Sequence, residues 1–362
     1  MRVVGIIART LFVATLFVAS FALPADAQFY KGKTITMVIN YGAGGNVDTE
    51  GRIVQRHLSK HLDGNPTIIV QNLPGAGGLT AINMVGRGIV GKPDGTIFGF
   101  YTLNPIAPII DDPALQVKYE DSYLIAGLGG WIIAYGRKDI PPGIGKPADM
   151  AKATDIFAAG YSTSSTHDTR LRLTLDLMGA KYKVITGFQT AGDVNKAMLQ
   201  KEVNFTSSSQ PGFYTQVLPN LIKPGIAMPM WYYETSGPNG TFNGSASIEA
   251  LGVRKFTDVY KEAHGKLPSG PKFDAFTIVT DISTKLSRAV MMPPGTPEEA
   301  VQQMRAAFEA LRDDKEFLDE YEHVIKAKAE LVSAKEGEEI LARLSEVPAA
   351  VKAELKRVAN VK

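Results

Sequence analysis

Residues 34–48 read Thr-Ile-Thr-Met-Val-Ile-Asn-Tyr-Gly-Ala-Gly-Gly-Asn-Val-Asp. A β-rich apolar run, Thr34 to Asn40, passes at once into Gly42-Ala43-Gly44-Gly45. From about Val47 to Leu62 the apolar residues Val47, Val54, Leu58 and Leu62 then recur near one face of a helix. A strand that turns through glycines into a helix is the first half of a βαβ unit. The pattern continues outward: a strand over Thr67–Val70, a second turn at Gly75-Ala76-Gly77-Gly78, and a helical stretch to about Val85. Pro93-Asp94-Gly95 turns the chain into a strand over Thr96–Phe100. This βαβαβ order predicts a parallel sheet with right-handed crossovers.

The pattern starts again further on. Leu124 to Tyr135 (LIAGLGGWIIAY) is apolar and interrupted by glycine. Its length fits one extended connecting strand or a buried pair of strands. Asp155–Ala159, Lys181–Thr186 and Val203–Thr206 read as strands, with helices over Asp168–Met178 and Ala191–Lys201. Helix Asp168–Met178 carries Leu171, Leu175 and Met178 on one face. Residues 231–271 hold loop signals at Gly237-Pro238-Asn239-Gly240 and Asn243-Gly244-Ser245, with a short helix over Phe256–His264. Phe276–Val279 and Arg288–Met292 read as strands. Glu298–Leu311 is a helix with Val301, Met304, Phe308 and Leu311 on one stripe. The rest, to Lys362, reads as amphipathic helix. The fold class is α/β: two lobes and a C-terminal helical segment.

Composition removes several function classes. The 362 residues include 44% hydrophobic and 21% charged side chains, which suits packed cores and excludes wholesale disorder. Lys and Arg number 39 against 37 Asp and Glu, with no basic stripe, so no nucleic-acid partner is expected. There is no cysteine, which excludes disulfides, thiolate nucleophiles and cysteine metal sites. Met1 to Ala27 reads as a secretory signal: Arg2 and Arg9, an apolar run Leu11–Leu23, Pro24, and a cleavage site Ala25-Asp26-Ala27. The mature chain is expected to begin near Gln28, in the periplasm.

Two loops carry the candidate chemistry. Gly42 to Asp48 lies where a strand meets a helix start, and backbone N–H groups there suit a carboxylate or phosphate. A tight turn with Asp48 as helix cap accounts for the same residues equally well. The nucleotide motifs fail. Val47 stands where the dinucleotide fingerprint needs its last Gly, and Arg52 follows Gly51 where a P-loop needs Lys. Gly160-Tyr161-Ser162-Thr163-Ser164-Ser165-Thr166-His167 repeats the strand–loop–helix step with hydroxyls that suit a ligand's oxygens. A Ser/His hydrolase built on this loop is the alternative reading, but position 164 is Ser where a nucleophile elbow needs Gly. His57 and His61 share a helix face, yet Leu58 stands where a zinc protease needs Glu, so a solvated face is expected and no metal. Trp131, Phe188, Phe213, Tyr214 and Trp231 could line a pocket, though each read individually is expected in the core.

The order of these motifs resembles the periplasmic solute-binding receptors of tripartite tricarboxylate transporters, the TctC or Bug family. The resemblance rests on Gly44-Gly45-Asn46-Val47-Asp48 with Arg52, on Val70, Asn72 and Gly75 to Gly78, and on Pro93-Asp94-Gly95. It continues through the loop Gly160–His167, Val184 to Phe188, and Pro294 to Pro297. It departs at Gly160-Tyr161-Ser162, where the family often has Gly-x-Gly, and in the long polar segment from Tyr232 to Gly270. It implies a two-lobed, type II periplasmic-binding-protein-like fold, with a mostly parallel sheet flanked by helices in each lobe and the ligand cleft between them. The domains would be 28–127 plus 226–362, and 128–225. It further implies a non-enzyme that closes on a small organic carboxylate without a cofactor. The membrane subunits of a transporter would be its partner, with a sensor kinase left open, and it would act as a monomer. The site residues it implies are Tyr41, Gly42, Ala43, Gly44, Gly45, Asn46, Asp48, Gly160, Tyr161, Ser162, Thr163, Ser164, Ser165, Thr166, His167, Phe188 and Gln210. Neither loop contains Arg or Lys, which points to a grip by main-chain dipoles and away from a highly charged ligand.

Overall fold

The computed structural model describes residues 28–360; the expected signal, Met1–Ala27, lies outside them. The first lobe grows from β1 (Thr34–Ile39), whose apolar Ile35, Met37, Val38 and Ile39 are all buried. Then follow α1 (Asn46–Leu58), β2 (Thr67–Asn72), α2 (Leu79–Gly86), β3 (Ile97–Tyr101) and β4 (Tyr123–Leu128). β1 lies between β2 and β3 and is parallel to both, with Thr34 opposite Thr67 and Thr36 opposite Ile97. The first βαβαβ unit is therefore present.

β4 does not pair with the strand that follows it. The chain crosses at Gly129-Gly130-Trp131 into β5 (Ile132–Arg137), which lies in a different sheet. The apolar run Leu124–Tyr135 is thus two buried strands and also the connection between lobes. The second lobe continues with β6 (Ile156–Ala159), α3 (Thr166–Met178), β7 (Tyr182–Ile185), α4 (Ala191–Leu199), β8 (Phe205–Ser209) and β9 (Ala227–Tyr232). Its sheet order is β7-β6-β8-β5-β9, with β6 parallel to β7 and β8 and with β5 antiparallel to β8 and β9.

The chain then forms α5 (Phe256–His264) and α6 (Pro271–Lys285) and returns to the first sheet as β10 (Arg288–Met292). The last elements are α7 (Glu298–Ala310), α8 (Lys315–Ile325), β11 (Leu331–Ser333), α9 (Ala334–Ala342) and α10 (Ala349–Ala359). The first sheet is ordered β11-β4-β10-β3-β1-β2.

Three expectations are corrected. Phe276–Val279 is not a strand but lies inside α6. Its four residues are β-favouring taken alone. Over a longer window Phe273, Phe276, Val279 and Ile282 recur every third residue and all are buried, and Pro271 suits the first helical turn. The C-terminal segment is not wholly helical, because β11 adds an edge strand against β4. The boundary at residue 225 also moves. β9 belongs to the second sheet, and α10 packs on α3 and α6 beside the second lobe, with Arg172 Nη1 donating to the Val358 carbonyl at 2.8 Å. By contrast, Val301, Met304 and Phe308 of α7 join Ile35, Met37, Phe98 and Phe100 in the first core. Each such side chain, fully buried, contributes about 1.5–3 kcal/mol. Among the described residues, no helix is long and apolar enough to cross a membrane.

Candidate functional site

In open α/β sheets ligands bind beyond the carboxyl ends of the parallel strands. The two candidate loops leave the carboxyl ends of β1 and β6. In the first, Gly44 has φ +75°, a left-handed conformation that glycine tolerates. Asp48 reaches back from the first turn of α1, and its Oδ2 accepts the Gly44 N–H at 2.9 Å and Arg52 Nε at 2.9 Å. Its Oδ1 accepts Asn72 Nδ2 at 3.0 Å. Burial opposes the charge of this carboxylate, but Arg52, the Gly44 N–H and Asn72 together hold its pKa below the ordinary range. Asp48 therefore braces the loop from behind. No side chain caps α1, whose N-cap is Gly45, so the first-turn N–H groups point outward without an internal acceptor.

The second loop is built around another aspartate. Asp168 Oδ1 accepts the Tyr161 N–H at 2.8 Å and the Ser165 hydroxyl at 2.9 Å, and Ser165 Oγ caps the Asp168 N–H at 3.2 Å. A Cβ on Gly160 would stand 2.1 Å from that carboxylate, so glycine is required there by close approach. His167 Nε2 lies 3.0 Å from the Ser207 carbonyl and Nδ1 lies 3.2 Å from Asp168 Oδ1, so both ring nitrogens face acceptors. The Tyr161 ring packs edge-on against His167, and across the cleft against Tyr41 at 5.6 Å. Burial pushes both phenols well above their usual range.

The lobes meet closely, and glycines make this possible. A Cβ on Gly42 would lie 2.9 Å from Thr190 Cγ2, and one on Gly77 would lie 3.0 Å from Ser162 Oγ and Ser165 Cβ. Gly212 leaves room for the Asn46 amide, which donates to Ser209 Oγ at 3.2 Å. Asn104 Nδ2 donates to the Ser164 carbonyl at 3.1 Å. This is a closed arrangement of the two lobes.

A cavity of about 90 Å³ remains between them. A single water occupies roughly 10–15 Å³ on this measure, so there is room for several water-sized groups. Of the residues expected from sequence, Tyr41, Gly42, Gly45, Asn46, Tyr161, Thr166 and His167 line it. Ala43, Gly44, Asp48, Gly160, Ser162, Thr163, Ser164, Ser165, Phe188 and Gln210 do not. Ser162, Ser164 and Ser165 meet the other lobe instead, Thr163 is exposed, and Gln210 Nε2 bonds Ser247 at 3.2 Å.

The wall also contains residues that the motifs missed, among them Thr102 to Asn104, Gln189 to Ala191, Ser207 to Ser209, Ser283 and Ser287. Two are arginines, Arg170 and Arg288, which lie outside the two loops and bring basic groups to a wall whose loops hold none. They stand in opposite conditions. Arg288 Nε donates to buried Glu50 at 2.7 Å, Nη1 donates to Ser287 and Thr102, and Tyr321 donates to the other oxygen of Glu50 at 2.8 Å. Among the described residues, Arg170 has no acid partner. It is 4% exposed, lies over the Tyr233 ring at 5.4 Å, and among the described residues its Nε and Nη1 have no hydrogen-bond partner. Burial pushes its pKa down to about 10. One signal could have found it: Thr166 was already a candidate, and position i+4 on a helix shares its face.

The hydrolase arrangement does not form, because both His167 nitrogens are engaged with Ser207 and Asp168, and neither Ser162 nor Ser164 bonds them. His57 and His61 do not form a solvated face. They bond Glu320 at 2.6 Å and Asp314 at 2.8 Å and join α1 to α8. His57, Asp314 and Glu316 do converge, but Lys60 already pairs with both acids.

The fold matches BugD, with a TM-score of 0.65 and 17% identity over 92% of this chain and 99% of that one. MatC from Rhodopseudomonas palustris, solved with bound malate, gives 0.63 and 19% over 91% and 99%. A TctC solute-binding protein from Polaromonas gives 0.54 and 20% over the same shares. A UPF0065 protein of Bordetella bronchiseptica is 39% identical over 163 residues, 44% of this chain and 47% of that protein. The fold is that of the Bug and TctC periplasmic binding proteins. No family model matches the sequence. The match spans about half the length of the curated UPF0065 relatives. Like the Bug and TctC structures, the chain has two α/β lobes, and here the cavity lies where they meet.

Proposed function

We propose that this chain is an extracytoplasmic solute-binding protein. It captures a small organic carboxylate between its lobes and delivers it to the membrane subunits of a tripartite tricarboxylate-type transporter, without chemistry on the ligand. The observation that carries this reading is the interlobe cavity. It is flanked by a loop from each lobe, lined with hydroxyls and a helix N-terminus, and bordered by close interlobe approaches at Gly42 and Gly77. Ligand contacts to both lobes favour the closed state over an open one, which is how a binding free energy drives hinge closure. The malate bound to MatC supports a carboxylate as the class.

The test is thermal unfolding of the mature chain against a library of mono- and dicarboxylates. A ligand at 100 times its dissociation constant adds about 2.7 kcal/mol of stability. One or more acids are expected to raise the melting temperature. A library without a single stabilising acid overturns the reading.

A further inference from the structure

The dipoles of the two loops account for an anion in the cleft without any cation. Arg170 is therefore a surplus that needs its own explanation. Charged side chains are almost never fully buried unless paired. Here the guanidinium is buried, lies on the cavity wall, and has two nitrogens without acceptors among the described residues. The buried Ser207 hydroxyl lies on the same wall, with the Tyr233 hydroxyl as its neighbour. The other wall arginine shows what a satisfied cation looks like in this protein, since Glu50 and three further oxygens occupy it.

We propose that Arg170 is the specificity-determining anion anchor of this site. A carboxylate of the ligand pairs with Arg170 in the second lobe, with Ser207 donating alongside, while the Gly42–Asn46 loop and the α1 N-terminus close over the remaining polar group. This rests on the solute-binding reading and deepens it. The ligand must present a full carboxylate to the second lobe, so an acid binds and its amide does not. The cation also orders the events: the acid binds first to the lobe that carries the unpaired charge, and the first lobe then closes.

The experiment uses the mature full chain, as wild type, Arg170→Met and Arg170→Lys. Titration calorimetry is run with an acid found by the thermal screen and with its primary amide. Wild type is expected to bind the acid and to discriminate against the amide by about 100-fold or more, as loss of a buried charge partner implies. Arg170→Met is expected to lose most of that discrimination, and Arg170→Lys to recover part of it. The melting temperature of ligand-free Arg170→Met is expected to equal or exceed that of wild type, because no internal pair is broken. A purely structural arginine would lower it. Two results overturn the proposal: Arg170→Met binding the acid as tightly as wild type, or wild type binding acid and amide alike. If Arg170→Met fails to fold, the second of these still decides. If no acid binds wild type at all, the solute-binding reading fails first and this inference falls with it.

Discussion

The two walls of the cleft differ in how they treat charge. On the first-lobe wall the charged group, Arg288, is answered by Glu50, which Tyr321 also satisfies, and behind that wall Asp48 has Arg52. That wall is left with neutral backbone, whose uncapped helix start can face any electron-rich group. On the second-lobe wall, Arg170 is answered among the described residues by an aromatic face alone. Neutralised charges make a rigid, tolerant surface, whereas an unanswered charge makes a demand that only a ligand meets. The comparison assigns shape and closure to one lobe and charge selectivity to the other.

Three changes would break or sharpen this contrast. Glu50→Gln makes the first wall resemble the second by leaving Arg288 buried without its acid. Loss of one partner of a buried pair costs about 3–5 kcal/mol. A fall of that size in urea-denaturation stability is expected, while no change would mean that Arg288 does not depend on Glu50. Gly42→Leu attacks closure and leaves the charges alone. Gly42 does not need a left-handed backbone, yet its Cβ would already crowd Thr190. Acid affinity measured by calorimetry is expected to fall tenfold or more, about 1.4 kcal/mol, with unfolding of the ligand-free protein little changed. Retained affinity would show that the ligand-bound lobes need not approach this closely. The smallest effect is expected from Asp48→Asn, about 1 kcal/mol of stability at neutral pH. The Asp48 pKa is lowered in the folded chain, so its stabilisation is fully present above its unfolded value of 3.8. It is lost as pH falls through the folded value. Denaturation curves of wild type and variant should therefore converge in acid, and a gap that persists there would remove the charge of Asp48 from the account.

Much of this architecture could be read from residue order. Both βαβαβ units, the Gly-rich loop at the end of β1 and the polar loop at the end of β6 follow from period, propensity and glycine spacing, which are local properties. Where the local signal was short it misled, as at Phe276–Val279, whose four residues favour a strand while the surrounding fifteen favour a helix. The site was only partly legible for a related reason. Asp48 and Ser165 belong to the right loops, but their side chains point inward to brace them. Thr102 and Ser287 sit at strand and helix ends and Ser207 in the middle of β8, and none of them carries a motif.

By itself the sequence determined the fold class, the two facing loops and the absence of thiol chemistry. Each is set by neighbours a few residues apart. Only the tertiary structure decided which arginine is paired. Arg288 finds Glu50 from 238 positions away, and Arg170 finds no acid among the described residues. Arg170 and Arg172 look alike along the chain, two basic residues in one amphipathic helix. Packing turns the first inward to the cavity and the second toward the carbonyl of Val358. Charge pairing depends on distances in space that no local pattern encodes, so the chemistry of the cleft was settled when the lobes came together.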